Sequence, residues 1–186
     1  MKKHTWIYIS ALYLFLVLMD GLLTYINTPD LSREANPLVV YFGLGWGALF
    51  LANAIGFALF VLLARLAWSY ERESFEVVGG FDYYMKLFYG EGYKPAWFWY
   101  RWPKRQRPFW ACAGFAVCIA EIVARAIIVA EWLTHTFDIE AVWWWRLRRA
   151  VPMHRLDVWI GILAAVILVL VWLYQGYRCC IKNSSK

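Results

Sequence analysis

The chain has 186 residues, of which 62% are hydrophobic, 20% aromatic and only 17% charged; its formal net charge is +6 and its mean hydropathy +0.48. A soluble domain is nearer half apolar and a quarter charged, and a single core of this size cannot hide the excess, so lipid must cover it. The positive balance comes without any nucleic-acid recognition motif, which excludes nucleic acid as the expected partner; basic residues flanking membrane spans account for the charge.

Met1-Lys2-Lys3-His4 precedes about twenty apolar residues. The run is long, contains Asp20 and lacks an A-x-A site, so it reads as a retained first span at about 5–26 rather than a cleaved signal peptide. Thr28-Pro29-Asp30 breaks it, and a short polar loop follows. The second span is expected at 37–68, with Pro37 as the first helical residue. Gly43 and Gly47 give it a G-x-x-x-G face for close helix packing, and Asn53 is a buried-amide candidate.

The connection at 69–107 is charged and aromatic. Residues 81–89 have the pattern of a short amphipathic helix, and 93–105 interleave Trp and Tyr with Lys and Arg. Such a stretch belongs at the headgroup level, or on another subunit. A third span at 109–133 carries Glu121 and Arg125, four apart on one face with the acid first, so they are expected to pair and to point into the bundle. A second amphiphilic stretch at 135–156 contains three consecutive Trp, Trp143 to Trp145, followed by arginines. Span four, at 158–177, is continuously apolar, with Asp157 as its expected N-cap. The four cysteines, Cys112, Cys118, Cys179 and Cys180, show no metal-ligand or C-x-x-C spacing.

Four spans put both termini in the cytoplasm, with thirteen basic residues inside and five outside. A three-span topology with a re-entrant third segment scores no worse by charge. The length of span three favours four.

The polar residues of the first two spans form the most informative string. Asp20 interrupts a hydrophobic run, where an ionisable side chain is expensive and marks a functional-site hypothesis. Thr24 lies one turn on along the same face. Glu34 and Asn36 are expected near the outer end of the same pocket. The group suits three uses. It is able to bind a cation through oxygen ligands, to relay protons, or to hold structure, with Asn36 capping the second span and Asp20 bonding across helices.

Asp20-x-x-x-Thr24, a loop, Glu34-Ala35-Asn36-Pro37 and a glycine-rich apolar helix resemble a family of small bacterial and archaeal multi-pass membrane proteins of unknown function that carries this D…T…E-A-N-P signature. The resemblance covers the first two spans. It implies a membrane fold and importance for Asp20, Glu34, Asn36 and Pro37, and it brings no activity with it.

Enzyme motifs are missing from the sequence: no H-E-x-x-H, no G-x-S-x-G, no Walker or dinucleotide fingerprint. Asp20-Gly21 opens like the phosphatidyl-alcohol transferase motif but lacks its arginine and later aspartates. His4, His135 and His154 sit at span ends, where they cannot hold haem inside a bundle. The expectation is therefore one all-α integral membrane domain, a transmembrane four-helix bundle with two interface-lying connections. No catalytic residue, metal or cofactor is expected. Its expected setting is the cell membrane, and its expected partners are the lipid bilayer and a membrane-protein subunit or second copy. The leading functional expectation is a non-catalytic accessory or assembly subunit. The alternatives are an oligomeric ion or proton transporter using Asp20 and Glu34, and an intramembrane lipid-acting enzyme.

Overall fold

The computed structural model describes residues 4–31, 39, 41–139 and 156–184. Glu34, Asn36, Pro37 and the Trp/Arg stretch at 143–149 lie outside them. Four long helices, α1 (Thr5–Asn27), α2 (Trp46–Trp68), α5 (Gln106–Thr136) and α6 (Leu156–Ser184), are joined by the short α3 (Gly80–Tyr89) and α4 (Trp97–Tyr100). At ~1.5 Å per residue, even the shorter long helices cover roughly 35 Å, enough for a hydrocarbon core of roughly 30 Å. Their outer faces are apolar. Phe15 and Leu18 on α1, Phe50 and Leu51 on α2, and Leu163 and Leu170 on α6 are all more than half exposed. A surface of that kind suits a lipid environment, and helices satisfy their own backbone groups there. The chain is an all-α, multi-pass membrane protein.

α5 is the hub. It packs against α1, α2 and α6, whereas α6 touches mainly α5 and, near its C-terminal end, α3. It runs from the side of the 69–107 connection, where the Arg105 N–H meets the Phe88 carbonyl, to the far end of α1, where Asn27 meets Thr136. The third long helix is therefore long and apolar enough to cross, and it runs the full length of the bundle.

Two glycines on the α5 interfaces let backbones approach. A Cβ on Gly114 would lie 2.7 Å from the Leu63 carbonyl oxygen of α2, and one on Gly161 of α6 would lie 2.5 Å from that of Ala120. The glycine pair singled out in the sequence does not serve this purpose. The helix expected to run unbroken from 37 is interrupted at 41–45 and restarts at Trp46. Gly43 sits there at φ +61°, a conformation glycine adopts without penalty, so it shares no helix face with Gly47. Gly47 has open space around its Cα.

The 69–107 connection folds into a cap. α3 turns Met85, Leu87, Phe88 and Tyr89 onto a core that includes Ala111 of α5 and Trp172 and Cys180 of α6. Arg105 clasps the layer by pairing with Glu73 and lying over the Phe75 ring. Asp82 anchors the start of α3, accepting from the Val78 N–H at 3.0 Å and the Tyr93 hydroxyl at 2.8 Å and pairing with Lys86 at 3.2 Å. Burial pushes its carboxyl up, but these donors outweigh it and hold the group below the ordinary carboxylate range. Burial pushes the Tyr70 phenol beneath the cap up to about 12.

Two outcomes are expected. Gly114→Val and Gly161→Val should lower the unfolding temperature in detergent, whereas Gly47→Ala should leave it unchanged or raise it slightly. Because folding lowers the Asp82 pKa, the stability it lends is present above the unfolded carboxyl's range and is lost as pH falls through the folded value. Hydrogen-exchange protection in residues 76–94, corrected for the intrinsic pH dependence of exchange, should therefore fall on acidification, and Asp82→Asn should remove that acid-dependent step, with a loss of about 1 kcal/mol at neutral pH.

Candidate functional site

Three helices contribute to one polar cluster inside the span. On α1, Tyr13, Asp20 and Thr24 are buried together with Ser10, Leu16 and Leu23. These positions recur at three-, four- and seven-residue steps, so they form one stripe that faces α2 and α5. Leu16 and Leu23 pack there against Val129 of α5. Asp20 stands roughly 10 Å along the axis from the Asn27 end of α1, and Asn53 is roughly as far from the Trp46 end of α2. Both are within the hydrocarbon depth.

Arg125 of α5 joins them. Its Nη1 donates to Asp20 Oδ2 in a close ion pair, and its Nη2 donates to Asn53 Oδ1 at 3.0 Å. Asn53 in turn donates from Nδ2 to the Leu49 carbonyl at 3.0 Å. That bond fixes which way the amide points: oxygen toward the guanidinium, nitrogen toward its own helix. The ion pair is largely shielded, with 22% of the Arg125 side chain and 13% of the Asp20 side chain accessible. In low dielectric the attraction is strong, and each partner left alone would be costly. The arrangement also supplies two of the five guanidinium N–H groups with acceptors of matched geometry.

Glu121 was expected to be the partner of Arg125. Among the described residues the guanidinium pairs instead with Asp20 of α1. Glu121, exposed on α5, accepts from the Tyr13 hydroxyl of α1 at 3.4 Å. Four-residue spacing brings two side chains to one face, but a shared face does not oblige them to meet when a carboxylate on another helix sits deeper in the bundle. Tyr13 is held by Phe60 of α2, whose ring stacks at 3.9 Å with planes 8° apart. Cys118 packs beside this stack, its thiol 3.9 Å from the Phe60 carbonyl.

Further along α1, Thr24 is buried, and its carbonyl accepts from both the N–H and the hydroxyl of Thr28, which closes the helix. Asn27 donates to the Thr136 hydroxyl at 2.8 Å, tying the ends of α1 and α5. Trp46 donates to the Pro29 carbonyl at 2.8 Å, tying the start of α2 to the end of α1. Glu34 and Asn36, expected above this region, lie outside the described residues. Sequence reasoning missed Tyr13 and the Asn27–Thr136 bond. The signal for both was available in the α1 stripe, where Tyr13, Asp20, Thr24 and Asn27 share one face.

No group of three or more His, Cys, Asp or Glu side chains suited to a metal ion occurs among the described residues. The cluster joins a carboxylate, a guanidinium and an amide into a neutral set that locks three helices. Removing one charge should be worse than removing both. Asp20→Leu or Arg125→Leu alone should lower stability by about 3–5 kcal/mol, and the double variant should recover most of that loss, measured by detergent-based unfolding as a double-mutant cycle. Comparison with protein-family models, with curated proteins and with solved structures gave no match, so function is argued from geometry.

Proposed function

We propose that the chain is a non-catalytic subunit of a cell-membrane complex, one that seats a partner helix against α5. The carrying observation is Glu121. It lies halfway along α5, is exposed on the outside of the bundle, and meets the Tyr13 hydroxyl at the long end of hydrogen-bond range. A charged side chain at the centre of a span costs roughly 2.5–3.5 kcal/mol on insertion scales. A partner helix with a hydrogen-bond donor at that depth relieves the cost. Trp110 and Val117, exposed on the same side of α5, extend the strip on which such a helix would lie.

The transporter alternative uses Asp20 as an ion or proton carrier. Its carboxylate is engaged by Arg125, which supports a bracing use of that charge. The distribution of basic residues supports cytoplasmic termini: α6 ends on the side of the 69–107 connection, so Arg178 and Lys182 join its seven basic residues. The resemblance of the first two spans to the family with the E-A-N-P signature fits a membrane role and adds no activity.

A photo-crosslinker at Val117 in the full chain, activated in native membranes, should capture one stoichiometric partner or a second copy. Glu121→Leu should reduce co-purification of that species about three- to tenfold, while Asp20 and Arg125 stay intact. Ion or proton flux by the reconstituted chain alone, abolished by Asp20→Asn, would overturn the proposal in favour of transport.

A further inference from the structure

The outer surface of the cap carries a feature that neither the bundle nor the Glu121 strip uses. Between residues 90 and 107 the sequence holds five basic side chains and one carboxylate, Glu91. Arg105 turns inward to Glu73. Lys94, Arg101, Lys104 and Arg107 are all exposed, and none makes an ion pair among the described residues. Two of them are fixed on one ring: the Arg101 guanidinium lies 4.8 Å and the Lys104 ammonium 4.2 Å from the Trp97 centroid. Cation–π contact of this kind holds both charges in place while leaving their outer faces open.

Aromatic side chains surround these cations. Trp99 is 83% exposed, Tyr100 66% and Trp102 65%. The series continues towards the span, with Trp102 edge-on to Phe109 at 4.8 Å and Phe109 edge-on to Trp110 at 5.3 Å. Because α5 starts at Gln106 and becomes apolar from Phe109, the basic group sits at the depth where α5 enters the bilayer. Trp and Tyr prefer that depth, and anionic headgroups supply the charge that the protein leaves unmatched.

We propose that Lys94, Arg101, Lys104 and Arg107 form a docking surface for the phosphate headgroups of anionic phospholipids, with Trp99, Tyr100 and Trp102 set among the headgroups and upper acyl chains. The surface selects lipid charge, not merely bilayer thickness. It is independent of the Glu121 partner, so either reading stands if the other fails.

The test uses the full chain in a mild detergent, with phosphatidylglycerol or phosphatidylcholine added, read by native mass spectrometry and by unfolding temperature. The wild type should retain phosphatidylglycerol in preference to phosphatidylcholine and should gain thermal stability from it, and both effects should weaken with salt. Combined Arg101→Gln, Lys104→Gln and Arg107→Gln should lower the preference about fivefold per side chain. Arg101→Lys with Arg107→Lys, which keeps the charge, should preserve it and so separates a lost charge from a lost fold. Equal retention of the two lipids by the wild type would overturn the proposal. So would an undiminished preference in the neutralised variant. Loss of a co-purifying protein from that variant, with its lipid preference unchanged, would reassign the surface to a protein partner.

Discussion

A guanidinium in hydrocarbon must have company, and that requirement organises this molecule. Arg125 meets Asp20 from one neighbouring helix and Asn53 from the next, so α1, α2 and α5 are fixed in register by a single side chain. Apolar packing between membrane helices carries little specificity, because lipid tails are as good a neighbour as leucine. Here specificity comes from polar groups placed at matching depths. Asn27–Thr136 and Trp46–Pro29 repeat the device near one end of the bundle. The Tyr13–Phe60 stack fills the space towards the other.

Small residues set the remaining interfaces. Gly114 and Gly161 sit where α5 meets α2 and α6 through backbone atoms, and Gly176 instead makes room for the Tyr83 side chain of α3. The cap uses a different currency, aromatic rings and charge. Trp172 of α6 lies between Tyr70, Phe115 and the Arg72 guanidinium, so the connection and the membrane helices share one core. The Cys180 thiol, buried at that seam, accepts from the Phe75 N–H at 3.5 Å. The connection is thus a folded layer whose outer aromatics remain available.

The four spans were legible because about twenty apolar residues in a row have few other uses. Asp20 was legible for the complementary reason, a charge where charge is costly. The pairing was not. Glu121 and Arg125 satisfy the helical spacing rule, and sequence alone carries no information on which neighbouring helix brings a better acceptor. Gly43 and Gly47 satisfy a spacing rule too, yet the Gly-Leu-Gly run at 43–45 breaks the helix that the rule presupposes. Neither Gly114 nor Gly161 has a second glycine four residues away, so the G-x-x-x-G rule did not select them. Their role appears only once α5 is known to be the hub. Amphipathic spacing located α3 well, since an apolar face on a short helix is a local property. That this face turns to α5 and α6 depends on long-range packing.

The separation of Asp20 from its counterion along the chain has a consequence for biogenesis. The two residues are 105 positions apart. At about 5–20 residues per second, synthesis leaves roughly 5–20 s between the appearance of the acid and of the base. Through that interval the first helical hairpin lacks the guanidinium that meets the Asp20 carboxyl and the Asn53 amide oxygen. Its release into lipid is therefore unfavourable until the third crossing emerges. Late arrival of α5 is thus the event that completes the polar set and favours transfer of the hairpin into lipid.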